Sequence, residues 1–331
     1  MKTLPLISIS IPTYNEERFI ASCLNSIFDQ DYPKEKIQVI IIDNYSTDKT
    51  LSIAEKYPVE IIQNGTKDAQ YLKMLGLRKS KGDYFIFLDA DSRLAHKNWF
   101  KTMLEPHDDP QIVGVFTDIV PDKRDPLISQ YIASFSFYTS PLFSFFSQRV
   151  EDTIINKQGD FYYCNYSKKV TPPTGSSLYK MRYLKEAGIL ENEKFMELDV
   201  VSILVSKGFT KFVYNPKTGI QHSHVDHLSE IFSKRVRNIK RNYIKDLNKR
   251  HFLWIDFRNK ISIFKIGVWS LYALTIILPT IVGIIKTIKS RKLFFLYYEP
   301  AVSFLETAAV IYGILINPYR NSFFKRLFVK N

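Results

Sequence analysis

The sequence predicts an α/β fold with a mostly parallel sheet, followed by a hairpin of two apolar membrane helices. Short apolar segments alternate with amphipathic segments between residues 7 and 88, which is typical of strands connected by helical crossovers. Polar side chains follow the apolar segments, as expected where strands end at a ligand site. Two long apolar stretches after residue 260 predict the helical pair.

Four strands and three helices are predicted in alternation. The predicted strands are residues 7–11, 38–42, 59–63 and 84–88, and the predicted helices are residues 16–28, 48–57 and 70–80. The first strand is expected to end at Pro12, and Ser46 or Thr47 is a candidate cap for the second helix. The second strand, residues 38–42, is almost wholly apolar, as expected when helices cover both faces of the sheet. A further strand is predicted at residues 211–214.

Three apolar stretches follow. Residues 127–146 are dense in aromatic side chains, which favours either a core helix of the same domain or an interfacial helix on the bilayer. Residues 261–288 are long enough to span a bilayer, with a kink expected at Pro279. Residues 293–316 are a second candidate, interrupted by Glu299, Pro300 and Glu306. Basic residues lie on both sides of the pair and in its connector, so a spanning hairpin and a re-entrant one remain alternatives.

The formal net charge of +13 is concentrated between residues 234 and 260, which contain ten Lys or Arg and only two Asp. Because this segment precedes an apolar stretch, an anionic membrane is a better partner for it than nucleic acid. Cys23 and Cys164 form neither a disulfide framework nor a zinc site, so a reducing compartment is expected. Residues 1–12 lack the long apolar core of a signal peptide, which favours a cytoplasmic location for the N-terminal part.

Asp89 and Asp91 come directly after the predicted strand 84–88. Two carboxylates at the end of a buried strand predict a site for a hard divalent cation such as Mg²⁺ or Mn²⁺, which shares its coordination with substrate phosphates. The alternative is an ordinary solvated turn.

The chain resembles glycosyltransferase family 2, whose members have the GT-A fold. The resemblance rests on three motifs in order: residues 8–16 (SISIPTYNE), residues 41–48 (IIDNYSTD) and residues 82–91 (GDYFIFLDAD). It extends over roughly residues 7–225 and implies a Rossmann-like mixed sheet that binds a nucleotide-diphosphate sugar. The C-terminal apolar pair resembles the anchors of members that act on lipid-linked substrates. Four segments are therefore expected: a catalytic domain (1–230), a basic juxtamembrane segment (231–260), the helical pair (261–318) and a basic tail (319–331).

The resemblance also implies the donor site. Its nucleotide-sugar residues would be Pro12, Thr13, Tyr14, Glu16, Asp43, Lys73, Asp89, Ala90 and Asp91. Asp43 has a second interpretation as a cap of its own turn. The sequence departs from the family at Asn44 and Tyr45, where Asp and Gly are usual, and at Lys73 and Met74, where Arg and Asn are usual.

Further roles follow from the same resemblance. Glu197 would be the catalytic base, with Asp199 as second choice, although both could simply cap a helix that begins there. Thr174, Gly175 and Ser176 would lie beneath the donor sugar and acceptor. His224 would complete the metal site formed by Asp89 and Asp91, with His222 as substitute, or else both histidines are surface features. Arg235, Arg237 and Arg241 would form a lid over the diphosphate or lie on anionic lipid.

The resemblance implies a metal-dependent inverting glycosyltransferase at the cell membrane, with its catalytic domain on the cytoplasmic side. The donor would be a UDP-sugar, and the acceptor a polyprenyl phosphate or a polyprenyl-linked saccharide. Alternatives are a soluble or surface glycan as acceptor, with the helices only a tether, and a catalytically silent membrane adaptor. No Trp lies between Trp99 and Trp254, so the Gln-x-x-Arg-Trp signature of processive synthases is missing and a single transfer is expected.

Overall fold

The computed structural model describes residues 3–66, 68–138, 140–166, 177–223, 225–240, 250–252, 255 and 259–321. These residues divide into two compact units. The first unit contains residues 1–120 and 148–223, and the second contains residues 121–147 and 224–331. The predicted domain boundaries at residues 230, 260 and 318 remain predictions.

The first unit is built on one mixed sheet of ten strands, which agrees with the predicted α/β class. The strands are β1 (Ile7–Thr13), β2 (Ile37–Asp43), β3 (Val59–Gln63), β4 (Tyr84–Phe87), β5 (Ser92–Leu94), β6 (Gly114–Val120), β7 (Ile154–Gln158), β8 (Phe161–Asn165), β9 (Leu178–Lys180) and β10 (Lys211–His222). Their order is β3-β2-β1-β4-β9-β6-β10-β8-β7, and β5 pairs with β10. The pairs among β1 to β4 are parallel, so the polar residues that follow these strands meet at one edge.

Helices of the first unit cover this sheet. They are α1 (Ile20–Phe28), α2 (Thr50–Ala54), α3 (Ala69–Lys79), α4 (Trp99–Leu104), α7 (Met181–Glu186) and α8 (Glu197–Ser206). Buried Ile, Leu, Phe and Trp side chains of β1, β2, α1 and α4 form the main core. Gly76 lets α3 approach β1 closely, because a Cβ atom there would lie 1.9 Å from Ser10 Oγ.

Two predicted boundaries are wrong at the start of the chain. Strand β1 continues through Pro12 to Thr13, with Pro12 in register with Ile42 of β2. Helix α1 begins at Ile20 instead of Glu16. The cause lies in the loop after β2 and the first residue of α2, whose side chains accept from the backbone of the loop after β1. Asn15 N donates to Ser46 Oγ, Glu16 N to Thr50 Oγ1 and Glu17 N to Asp48 Oδ2.

Strand β10 is much longer than the predicted residues 211–214. It runs for twelve residues to His222 because β5, β6 and β8 all pair with it. The extra length carries His222 into register with Ser92, next to Asp91.

The second unit is helical. Its helices are α5 (Leu127–Ala133), α6 (Pro141–Phe146), α9 (Leu228–Asn238), α10 (Lys260–Thr275), α11 (Ile277–Ser290) and α12 (Phe294–Leu315). The aromatic stretch 127–146 packs here through α5 and α6, where Tyr131 contacts Phe294 and Phe295 of α12 and Phe146 contacts Trp269 of α10.

The first predicted membrane helix is two helices, not one kinked helix. The chain bends by 81° between α10 and α11 at Ile276, which has a φ of 62°. Pro279 is the third residue of α11, a position where its missing N–H needs no partner. Many apolar side chains of α10 and α11 are exposed, among them Phe264, Leu271, Ile277 and Ile288.

Among the described helices, α12 is long and apolar enough to cross a membrane unaided. The bent pair α10–α11 would qualify if counted as one span. These criteria concern only length and composition. Of the apolar segment of α12 that meets them, 44% is buried within the protein.

The two acidic residues of α12, Glu299 and Glu306, are buried and each is paired with a basic side chain. Glu299 is 1% exposed and accepts from Lys286 Nζ at 2.9 Å on both oxygens. The hydroxyls of Tyr131 and Tyr272 also donate to Glu299, each at 3.0 Å. Glu306 is 2% exposed and pairs with Arg235 of α9. Buried charges are tolerated when they are paired and hydrogen-bonded in this way.

Candidate functional site

The loops after β1 and β2 are joined at the carboxyl edge of the sheet. Asn44 N donates to Thr13 O at 2.9 Å, and Thr47 N donates to Asn15 Oδ1 at 2.9 Å. Asn15 and Tyr45 both have positive φ values, of 56° and 55°. Such backbone conformations are rare for residues other than Gly and are often retained at functional sites.

Asp43 organises this edge from inside. It is fully buried, and its carboxylate accepts from Thr13 Oγ1 at 2.9 Å, from Ser46 N at 2.8 Å and from Ser46 Oγ at 2.5 Å. These bonds match the turn-capping interpretation of Asp43. They also fix the side chain of Thr13, while Tyr14 beside it is exposed.

Asp89, Asp91 and His222 form the most distinctive cluster of the first unit. Their ligand atoms all lie within 4.8 Å of one another, and His222 Nε2 is 3.0 Å from Asp91 Oδ1. Two carboxylates on the loop between β4 and β5 and an imidazole at the end of β10 are a donor set that a divalent cation can bind. The residues therefore fit the predicted metal. The cluster contains His222, the substitute in the prediction. The first choice, His224, lies outside the described residues.

Lys73 is the cation next to this cluster. Its Nζ lies 3.0 Å from Asp89 Oδ1 and 3.9 Å from the centre of the Phe87 ring. Burial opposes the charged form of Asp89, but Lys73 and His222 outweigh it and hold the pKa of that carboxyl below its usual value. Burial likewise opposes the charged form of His222, but the Asp91 carboxylate outweighs it and raises the pKa of the imidazole. The cluster is thus a compact arrangement of alternating charges.

Glu197 and Asp199 lie in the first turn of α8, as predicted. The start of this helix is held by Phe195, whose N–H donates to Gln70 O and whose ring lies 5.3 Å from that of Phe87. Phe87 is two residues before Asp89. Its ring contacts both the Lys73 ammonium and the ring of Phe195, which lies two residues before Glu197. Neither Lys73–Asp89 pairing nor the role of Phe87 was predicted. The only sequence feature that pointed to Lys73 was its place at a position where the family usually has Arg.

The remaining predicted site residues are distributed as follows. Pro12 is half-buried in β1, the Glu16 backbone bonds to Thr50, and Ala90 is buried between the two aspartates. Arg235 pairs with Glu306 inside the second unit, and Arg237 is exposed on α9. Thr174, Gly175, Ser176 and Arg241 lie outside the described residues, as does the tail from residue 322.

Residues 8–167 match the model of the family described as glycosyl transferase family 2. A dolichyl N-acetyl-glucosaminyl phosphate glycosyltransferase of Methanococcus voltae, named for transfer of a diacetamido-dideoxy-glucuronosyl group, is 34% identical over 121 residues, 33% of this chain and 37% of that protein. Glycosyltransferase AglE of Haloferax volcanii is 36% identical over 105 residues, 30% of this chain and 34% of that protein. The chain thus spans about a third of the length of these curated relatives.

Among solved structures, TarS 1–349 of Staphylococcus aureus in complex with UDP has a TM-score of 0.48 and 18% identity to this chain. The similarity covers 92% of this chain and 90% of that one.

Proposed function

We propose that this protein, whose residues 8–167 match the glycosyltransferase family 2 model, moves a sugar from a nucleotide-diphosphate donor to a membrane-presented acceptor. The observation that carries the proposal is the cluster of Asp89, Asp91 and His222 at the carboxyl edge of the sheet. Ligands of open α/β sheets bind at this edge. The donor is proposed to be a UDP-sugar.

Asp89, Asp91 and His222 would hold Mg²⁺ or Mn²⁺, with His224 as a further candidate ligand. When bound, such an ion supplies positive charge next to the departing nucleoside diphosphate. Lys73, 3.0 Å from Asp89, adds a second positive charge at the same place. The carboxylates therefore orient the cation, while Lys73 limits their repulsion of the donor phosphates.

We propose a single displacement that inverts the anomeric centre. Glu197 is the proposed base, with Asp199 as second choice. It takes the proton of the acceptor hydroxyl as the hydroxyl oxygen bonds to the anomeric carbon, and the bond from that carbon to the diphosphate oxygen breaks to release the nucleoside diphosphate. Both carboxylates lie in the first turn of α8. Phe195 keeps this turn against Phe87, the last residue of β4, two residues before Asp89.

The second unit supports a membrane-presented acceptor. Exposed apolar side chains on α10 and α11 would face lipid. On α9, a groove of about 410 Å³ is lined by apolar Phe232 and Val236 together with Ser233, Arg237 and Lys240. Because Arg235 is already paired with Glu306, Arg237 and Lys240 are the better candidates for anionic headgroups. We place the protein at the cell membrane, with the catalytic unit on the cytoplasmic side.

The decisive experiment uses the full-length protein in detergent with Mn²⁺ and a set of UDP-, GDP- and dTDP-sugars. Donor binding is followed by calorimetry and transfer by product analysis, with polyprenyl phosphate, a polyprenyl-linked saccharide and a soluble glycan as acceptors. Asp91→Asn is expected to remove metal-dependent nucleotide binding. Asp31→Asn changes an exposed carboxylate of the same unit and should behave as the wild type. Equal nucleotide binding by Asp91→Asn and wild type would refute the proposal.

Glu197→Gln distinguishes the acceptors. A hydroxyl acceptor must lose a proton during attack, so Glu197→Gln should abolish transfer to a saccharide while nucleotide binding persists. A polyprenyl phosphate is ionised at neutral pH, so its attack should tolerate the same change far better. Transfer only to the soluble glycan would favour the helices as a tether.

A further inference from the structure

Tyr45 combines a bulky side chain with a backbone conformation that suits glycine. Its φ of 55° lies in the left-handed region, where a large aromatic residue is an outlier. The loop imposes this conformation, because Asn44 N is bonded to Thr13 O and Ser46 is bonded to Asp43 through both its N–H and its hydroxyl. Glycine would adopt it without strain, so the aromatic ring is retained at a cost in stability.

The ring of Tyr45 lies against the next loop of the edge. A Cβ atom on Gly65, which follows β3, would lie only 3.1 Å from Tyr45 Cε2. The absence of a side chain at residue 65 therefore makes room for the ring. Tyr45 is nevertheless 57% exposed, so most of its surface stays open to solvent or a ligand.

The strand order shows which end of a ligand Tyr45 would meet. Strand β2 is two positions from β4, and adjacent strands are about 4.8 Å apart, so the loop after β2 lies roughly 10 Å from the loop of Asp89 and Asp91. Tyr14, which is 54% exposed, follows β1 between them. A nucleoside diphosphate held by its phosphates at the aspartates can extend its base along the edge toward these two rings.

We propose that the Tyr45 ring forms the outer wall of the site for the nucleotide base, on the side of β3, and helps to set which base is accepted. Aromatic rings bind bases by stacking on the planar π-face, and an exposed ring fixed by a rigid loop is suited to this. Gly65 is the residue that allows the ring to lie there. The inference rests on the proposed function, because it takes the donor to be a nucleotide sugar.

Two variants of the full-length protein separate stacking from loop packing. Tyr45→Gly removes the ring and relieves the backbone strain, so its melting temperature should be no lower than that of the wild type. It should bind the preferred nucleoside diphosphate about tenfold more weakly, the size of loss expected when a stacking partner is removed. Tyr45→Phe keeps the ring and should keep the affinity. Calorimetry with UDP, GDP and dTDP in the presence of Mn²⁺ measures both affinity and base preference.

The base preference is the critical measurement. In Tyr45→Gly the ratio between the UDP and GDP affinities should move toward one. An unchanged ratio and unchanged affinity, with Asp91→Asn still impaired, would overturn this inference and leave the proposed function intact. A lower melting temperature with an unchanged ratio would assign the ring to loop packing and would also overturn it. Failure of the wild type to bind any of the three nucleotides would overturn the proposed function as well.

Discussion

Replacing Lys286 by methionine is expected to destabilise the helical unit strongly. The Lys286 ammonium lies 2.9 Å from both oxygens of Glu299, a carboxylate that is 1% exposed. Methionine has a similar length but no charge, so the change removes the counterion and leaves the packing nearly intact. The hydroxyls of Tyr131 and Tyr272 would remain as the donors to Glu299.

The size of the effect follows from the buried carboxylate. Removing one partner of a buried ion pair costs about 3–5 kcal/mol, because the other charge is left unpaired away from water. The two tyrosine hydroxyls still stabilise Glu299, so we expect a loss near the lower end, about 3 kcal/mol. For a unit of this size that corresponds to a fall of about 10 °C in the melting temperature.

Thermal unfolding of the full-length protein in detergent, followed by tryptophan fluorescence, measures this change. Lys289→Met is the matched control, since Lys289 is exposed near the end of the same helix. The double variant Lys286→Met, Glu299→Gln has no buried charge at this place and should recover most of the loss. If Lys286→Met melts within 2 °C of Lys289→Met (about half a kcal/mol on the same scale), the pair does not stabilise the unit.

Three further predictions concern the first unit. Lys73→Met should bind UDP about tenfold more weakly in calorimetry, because a charge-assisted contact is worth about 1.5 kcal/mol, and unchanged affinity would remove Lys73 from the donor site. Gly76→Ala should lower the melting temperature, since its Cβ would meet Ser10 Oγ at 1.9 Å and overpacking costs about 1–3 kcal/mol, whereas Gly267→Ala meets no neighbour and should not. Burial lowers the pKa of His107 from 6.5 to about 3. Between these two pH values His107 is protonated in the unfolded chain but neutral in the folded one, so the free energy of unfolding falls as the pH drops. Denaturant unfolding should show a loss of about 2 kcal/mol between pH 7 and pH 5 that His107→Leu lacks, and an equal loss in that variant would contradict the assignment.

The alternation of strands and helices up to residue 88 was predictable from the sequence, because apolar runs bounded by turn residues carry that information locally. Helix α3 and strands β2, β3 and β4 lie within one or two residues of their predicted bounds. The start of α1 was not predictable in the same way. It depends on bonds from Ser46, Asp48 and Thr50, which are distant in sequence from the residues they hold.

In the candidate site, too, some residues could be identified from the local sequence and others only from the folded structure. The two aspartates were identifiable because they immediately follow a buried apolar run. Their neighbours come from other elements. Packing of α3 against β1 and β2 brings Lys73 to Asp89, and pairing of β10 with β5 brings His222 to Asp91. The length of β10 is set by its three partner strands, so a search of residues 211–222 for local strand signals would underestimate it.

Phe87 lies between the Lys73 ammonium and the Phe195 ring, next to the proposed donor site. Its ring lies 3.9 Å from the Lys73 ammonium on one side and 5.3 Å from the Phe195 ring on the other. Any change in the volume of residue 87 would therefore alter the separation of the cation from the first turn of α8. A smaller side chain at residue 87, introduced to make room for a bulkier sugar, would shift both the Lys73 ammonium and the Phe195 ring. Substitutions at residues that contact only one of these two groups would disturb the site less.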